Sequence, residues 1–224
     1  MENWHPDVTL SVESEDYNTV AHFYEQLVES DPETRENYWF LGLAYLLSGK
    51  QAEAFATWFI PFNCGDENQI NLWTKELSSI LVAEATKFTE KTGEKDGDKE
   101  LLIRKSIQEI DPNNLDNSLR LISLYLSYNI FEISYLDDWN IIPLLKKESY
   151  KENNFELLSS VLDKILQLKI PKSIDFAESV LIYTKSDINI LNTIKEVARV
   201  SGFDFGQVYY AVDLIILCLK YCPD

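Results

Sequence analysis

Histidine is nearly missing from this chain: His5 and His22 are the only two in 224 residues. A His-containing triad, or a metal site of several imidazoles, has almost nothing to be built from. Glycine is scarce as well. The seven glycines stand singly and form neither a GxGxxG nor a GxxxxGK array, so no phosphate-cradling loop can be read. The three cysteines, Cys64, Cys218 and Cys222, are an odd number in a chain large enough to bury its own core, which argues against a disulfide framework. Cys218 and Cys222 stand four apart on one helix face, but no further ligand lies near them. Two acidic groups, Asp137-Asp138 and Glu94 with Asp96 and Asp98, lack the twelve-residue calcium-loop pattern and its closing Glu. No metal and no cofactor is expected.

Basic residues are the next shortage. Twenty Lys and Arg face 37 Asp and Glu, a formal net charge of -17, which disfavours nucleic acid and anionic membranes as partners. The imbalance sits early. Residues 1 to 50 hold ten acids and two bases, Arg35 and Lys50, whereas residues 151 to 224 hold ten acids and eight bases. Long apolar runs are missing too. The longest, Val208 to Cys222, is broken by Asp213 and Lys220 and falls short of the roughly 20 residues that span a bilayer. The opening Met1-Glu2-Asn3-Trp4-His5-Pro6 has neither the basic nor the apolar region of a signal peptide. Together with the unpaired cysteines, this gives a reducing, cytoplasmic setting as the expectation.

What the chain does have is 46% hydrophobic and 12% aromatic residues, ample for a buried core. Leu- and Ile-rich stretches follow a helical period with few alternating β-branched runs, so the expected class is all-α. Tyr38-x-x-Leu41-Gly42-x-x-Tyr45, followed by Gly49, Ala54 and Trp58, has the spacing of the 34-residue tetratricopeptide signature. Just before it, Tyr17, Val20, Tyr24, Leu27 and Pro32 fit the second helix of a preceding unit. Trp4 stands where that unit wants its aromatic, although Pro6, Val8 and Thr9 make residues 6 to 13 a poor helix. In the next unit a first helix from about Arg35 to Ser48 should close at Gly49. Gly42 should leave room for close helix pairing, and the second helix should stop near Phe59 or Ile60, ahead of Pro61.

Asp66-x-x-Gln69 reads as a capping box for a helix over 68–90. Residues 91 to 98 lack any apolar side chain and read as an exposed loop. Beyond it the repeats degrade. Helices are expected over 99–110, over 115–128 with Asn129 as cap, and from Phe155 until Pro171 stops it, then over 173–183, 187–200 with Gly202 as its stop, and 205–221. Residues 130 to 150 read as irregular pieces broken at Pro143. In the last helix Ala211, Ile215, Cys218 and Pro223 repeat the second-helix offsets. The whole is expected to be one repeat domain, 1–224, of helical hairpins stacked in a right-handed superhelix, clearest over 1–90 and irregular after residue 60. It also reads as the N-terminal part of a longer protein, with an apolar last helix that offers a homodimer contact.

The run YWFLGLAYLLSGKQAEAFATWFIPF, with Leu72-Trp73-Thr74-x-Glu76-Leu77 after it, resembles the N-terminal helical-repeat region of cyanobacterial SPINDLY-like O-linked N-acetylglucosamine transferases. The resemblance covers about residues 15 to 130 well and the remainder loosely. It implies a substrate-recruiting module ahead of a separate nucleotide-sugar transferase domain, and related repeats are also attached to methyltransferases. It supplies no catalytic residue to this chain. In the fold it implies, the first-helix groove positions are Glu36, Trp39, Leu43, Leu46 and Leu47. Four of these five are apolar, where a carboxylate clamp needs Lys, Arg and Asn. The expected partner is therefore a protein or peptide with an apolar or amphipathic segment, unless another helix of this same chain fills the groove. The competing readings are a self-contained enzyme or cofactor-binding helical protein, and an acidic mimic of nucleic acid.

Overall fold

The computed structural model of the chain describes residues 4–89, 94–147, 155–203 and 207–222. Every regular element among them is a helix, as the periodicity predicts. Where one continuous domain is expected, the backbone divides into two compact units, Met1–Asp111 and Pro112–Asp224. The division falls inside the Asp-Pro turn.

In the first unit a short 3-10 turn, Pro6–Val8, leads into α1 (Thr9–Glu13), so the weak stretch is helical only in two brief pieces. It is followed by α2 (Tyr17–Ser30), α3 (Arg35–Leu47), α4 (Gln51–Phe62), α5 (Glu67–Thr89) and α6 (Glu94–Ile110). Trp4 is buried against Phe40, 5.1 Å between ring centroids, and its indole N–H donates to Glu84 of α5 at 3.1 Å. The aromatic thus ties the chain's start to α5, although it precedes a poor helix. The capping box forms as read: Gln69 N–H donates to Asp66 Oδ1 and Asp66 N–H to Gln69 Oε1, both at 2.9 Å.

Two expectations fail. α4 does not stop at Phe59 or Ile60 but runs through Pro61 to Phe62. A proline so near the end removes one intrahelical bond only, and the last turn brings Phe62 against Trp39 and Trp73, 5.4 and 6.5 Å between centroids. The second failure concerns the loop read over 91–98. Residues 90–93 lie outside the described residues, but α6 already starts at Glu94. Acidic residue types suit a helix's first turn, and Lys99 anchors that end, pairing with Glu15 at 2.6 Å over the rings of Tyr17 and Phe88.

The second unit contains α7 (Leu115–Ser127), two short pieces α8 (Tyr135–Asp138) and α9 (Ile141–Lys147), then α10 (Phe155–Leu166), α11 (Pro171–Tyr183), α12 (Ile188–Gly202) and α13 (Val208–Tyr221). Pro143 sits in the first turn of α9, and Pro171 opens α11 rather than only closing α10, both positions where a missing N–H costs little. Tyr210 locks three helices together: its hydroxyl donates to the Leu166 carbonyl at 2.9 Å and lies 2.7 Å from Ser173 Oγ. Burial pushes that phenol's pKa up. Ile215 departs from the second-helix pattern, being 49% exposed while Ala211 and Cys218 are buried.

The same device appears in both units. Asp31-Pro32 precedes α3 and Asp111-Pro112 precedes α7, 80 residues on. At that offset Asn37, Leu41, Tyr45 and Leu46 meet Asn117, Leu121, Tyr125 and Leu126, identical in each case. Both helices end in a Schellman turn. Gly49 N–H donates to Leu46 O and Lys50 N–H to Tyr45 O; Asn129 N–H donates to Leu126 O and Ile130 N–H to Tyr125 O. The left-handed residue is Gly49 (φ 84) in one and Asn129 (φ 56) in the other.

Candidate functional site

The α3–α4 hairpin determines what becomes of the expected groove. A Cβ on Gly42 would lie 2.2 Å from Trp58 Nε1, so only glycine lets that indole lie on α3. From there Trp58 donates to the Trp39 carbonyl at 3.0 Å. Trp39, Leu43 and Leu46 are each 0% exposed within the core of the first unit. The chain itself covers these three side chains, and Trp39 packs on Phe62 from the last turn of α4. Of the five groove residues, Leu47 is half-buried and Glu36 alone is fully exposed. The burial follows from a bulk of apolar residues on every side of α3, flanked as it is by α2, α4 and α5. Trp39 Nε1 is left buried without a hydrogen-bond partner.

A different concavity opens nearby, a cleft of about 380 Å³ lined by Arg35 and Tyr38 of α3, Ile60 and Pro61 of α4, Cys64, and Trp73 of α5. Its wall is rigid. Trp73 stacks on Phe62 and carries the Arg35 guanidinium 4.8 Å above its ring, while a Cβ on Gly65 would come within 2.4 Å of it. Ile60, 50% exposed, provides an apolar contact at the cleft, and Cys64 is the one exposed cysteine. Such a volume takes one or two large side chains or a ligand of similar size. Sequence reading named these residues singly but did not bring them together as a site. The signals were Arg35, one of two bases in the first 50 residues, and Pro61, whose early arrival turns the chain beside Trp73.

The second unit has a wider cleft of about 680 Å³ between α10 and α12, where Phe155 and the aliphatic stems of its neighbours alternate with hydroxyls, amides and the carboxylates of Glu156, Asp163 and Glu196. Glu196 is held below the usual carboxylate range by hydrogen bonds from Arg199. The histidines lie apart: His5 caps the first turn, and His22 is exposed beside Glu25 and Gln26. Among the described residues no group of His, Cys, Asp and Glu is arranged to hold a metal ion. Nor is any helix among them long and apolar enough to cross a membrane.

No protein-family model matches this chain, and a search of curated proteins gives no match.

Proposed function

We propose that this chain is a noncatalytic protein-recognition scaffold of tetratricopeptide-like hairpins, stacked in a right-handed superhelix, that brings a partner to a glycosyltransferase-type domain of the same polypeptide. The observation that carries the reading is the 80-residue recurrence: an Asp-Pro turn, a helix with Asn, Leu, Tyr and Leu at fixed places, and a Schellman end. A turn-and-helix unit used twice is how a repeat scaffold is assembled. The transferase rests on the resemblance of residues 15 to 130 alone. Because Trp39, Leu43 and Leu46 are covered, the partner's apolar or amphipathic segment is assigned to the Ile60–Trp73 cleft, whose rigid aromatic wall suits an anchor side chain.

A peptide library displayed on phage tests this directly. Selected peptides should share a large apolar anchor, lose binding to Ile60→Glu, and protect Cys64 from thiol labelling. Peptides that bind Ile60→Glu unchanged and leave Cys64 reactive would remove the cleft from the reading. Failure to select any peptide on the folded chain would count against the recognition role itself.

A further inference from the structure

Among the described residues, α13 carries more exposed large apolar side chains than any other helix. Tyr210, Ala211, Leu214, Leu217 and Cys218 point inward and are buried. At 100° per residue, Tyr209, Val212, Ile216 and Leu219 fall on the opposite side, 88, 45, 58 and 60% exposed. Val208 and Ile215, also exposed, flank this stripe on one edge, and Asp213 and Lys220 flank it on the other. An apolar stripe of this length on a water-facing helix marks an interaction surface.

The spacing identifies the occupant. The stripe residues stand 3, 4 and 3 apart, a sequence of intervals that reads the same from either end. Two copies of α13 laid antiparallel about a two-fold axis near Leu214 therefore meet in closed layers, Tyr209 on Leu219 and Val212 on Ile216, each pairing occurring twice. The same two-fold brings the two Ile215 side chains together on one edge of the seam, with each Val208 further out along that same edge. The six side chains offer on the order of 600 Å² per copy, approaching the ~800 Å² per partner of a standard interface. In a chain of net charge -17 the face carries one acid and one base, and Lys220 is already held by Glu178 at 2.5 Å. Contact through this face therefore brings only one free carboxylate per copy, Asp213, to the seam.

We propose that α13 is a homodimer contact, with two copies of the chain packed antiparallel through Tyr209, Val212, Ile216 and Leu219. The arrangement sets the two Asp213 carboxylates on the same edge of the seam, close to the axis, where they repel.

Sedimentation equilibrium on the full chain decides the matter. Wild type should shift from 26.0 kDa to twice that mass with a Kd on the order of 10 µM. Ile216→Glu should weaken association by about 100-fold while keeping its helical circular dichroism, and Asp213→Asn should tighten it several-fold. In a Cys64→Ser, Cys222→Ser background, a mixture of Val212→Cys and Ile216→Cys copies should cross-link under mild oxidation far faster than either alone. A wild type that stays monomeric at 100 µM overturns the proposal, whether another protein or a further segment of chain then covers the face. A dimer indifferent to Ile216→Glu, or cross-linking fastest between identical copies, overturns it equally.

Discussion

α3 and α7 are the same helix written twice, and they meet opposite fates. Each follows an Asp-Pro turn, carries Asn, Leu, Tyr and Leu at matching places, and ends in a left-handed residue. Yet α3 is buried at every residue from Tyr38 through Ala44, whereas the buried positions of α7 are interrupted by half-buried Arg120, Ser123 and Leu124 and end before an exposed Ser127. The cause lies in what comes next. α3 turns at Gly49 into a full helix whose Trp58 seats on Gly42; α7 turns at Asn129 into the short α8, and Ile122 stands where Gly42 would be. Tyr45 and Tyr125 repeat the lesson. The first reaches back to Glu25 of α2 with its hydroxyl at 2.6 Å, while the second packs its ring against Tyr135 and Trp139. The repeat code specifies the turn and the helix; the neighbours decide which face is left free.

That contrast can be broken most sharply at the position where the two helices differ in bulk. Gly42→Ala forces a methyl into a fully buried indole, and Ile122→Ala empties a packed site, so one position should fail in opposite directions. Each should cost about 3 kcal/mol in urea denaturation. A Gly42→Ala variant as stable as wild type would mean that Trp58 does not seat on α3.

A smaller effect is expected at Trp39. Its orphaned indole N–H costs about 1–3 kcal/mol, and trimming the ring gives up packing of similar size. Trp39→Phe should therefore stay within about 1 kcal/mol of wild type by thermal and chemical denaturation, despite complete burial. A loss of about 3 kcal/mol or more would show the N–H to be satisfied by an ordered water.

These positions also show what could be read from sequence and what could not. α1 and the first turn of α6 were not legible, but the long helices from Tyr17 to Leu217 were, because apolar residues recur there at helical spacing. So were the Gly42 contact, the Asp66–Gln69 box and the cap at Asn129, each a local arrangement carried by a few neighbouring residues. The end of α4 was misread because Pro61's local preference gave way to Phe62's contacts with Trp39 and Trp73, rings 23 residues before it and 11 after. Whether the groove is open or filled by the chain itself was left undecided for a related reason. First-helix periodicity marks which side chains leave the α2–α4 seam, but not whether α5 and the last turn of α4 close over them. The Ile60–Trp73 cleft was invisible because its walls come from three helices and a turn, none of which carries a motif for it.

The finest distinction between the paired helices is electrostatic. Tyr45's hydroxyl, with burial opposing it and His22 adding to it, holds the Glu25 carboxyl below its usual range. A carboxyl depressed in the folded state stabilises it above the unfolded value, near ~4.3, and that contribution is lost as pH falls through the lower folded value. Glu25 is 42% exposed, so the effect should be under about 1 kcal/mol. The stability gap between wild type and Tyr45→Phe should narrow as pH is lowered from 6 towards 3. A gap that does not change with pH would assign Tyr45's contribution to packing alone.

The hairpin turns have a consequence for where the molecule yields first. Among the described residues, Glu15 is the one non-glycine residue of the first unit with a left-handed backbone, and Gly49 takes the other such place at no steric cost. The second unit holds Asn129, Asn140, Lys169, Lys185 and Ser186 in that conformation. A side chain there costs roughly 1–2 kcal/mol, less for Asn. Conformational tension is thus concentrated after residue 112, in corners rather than in the core.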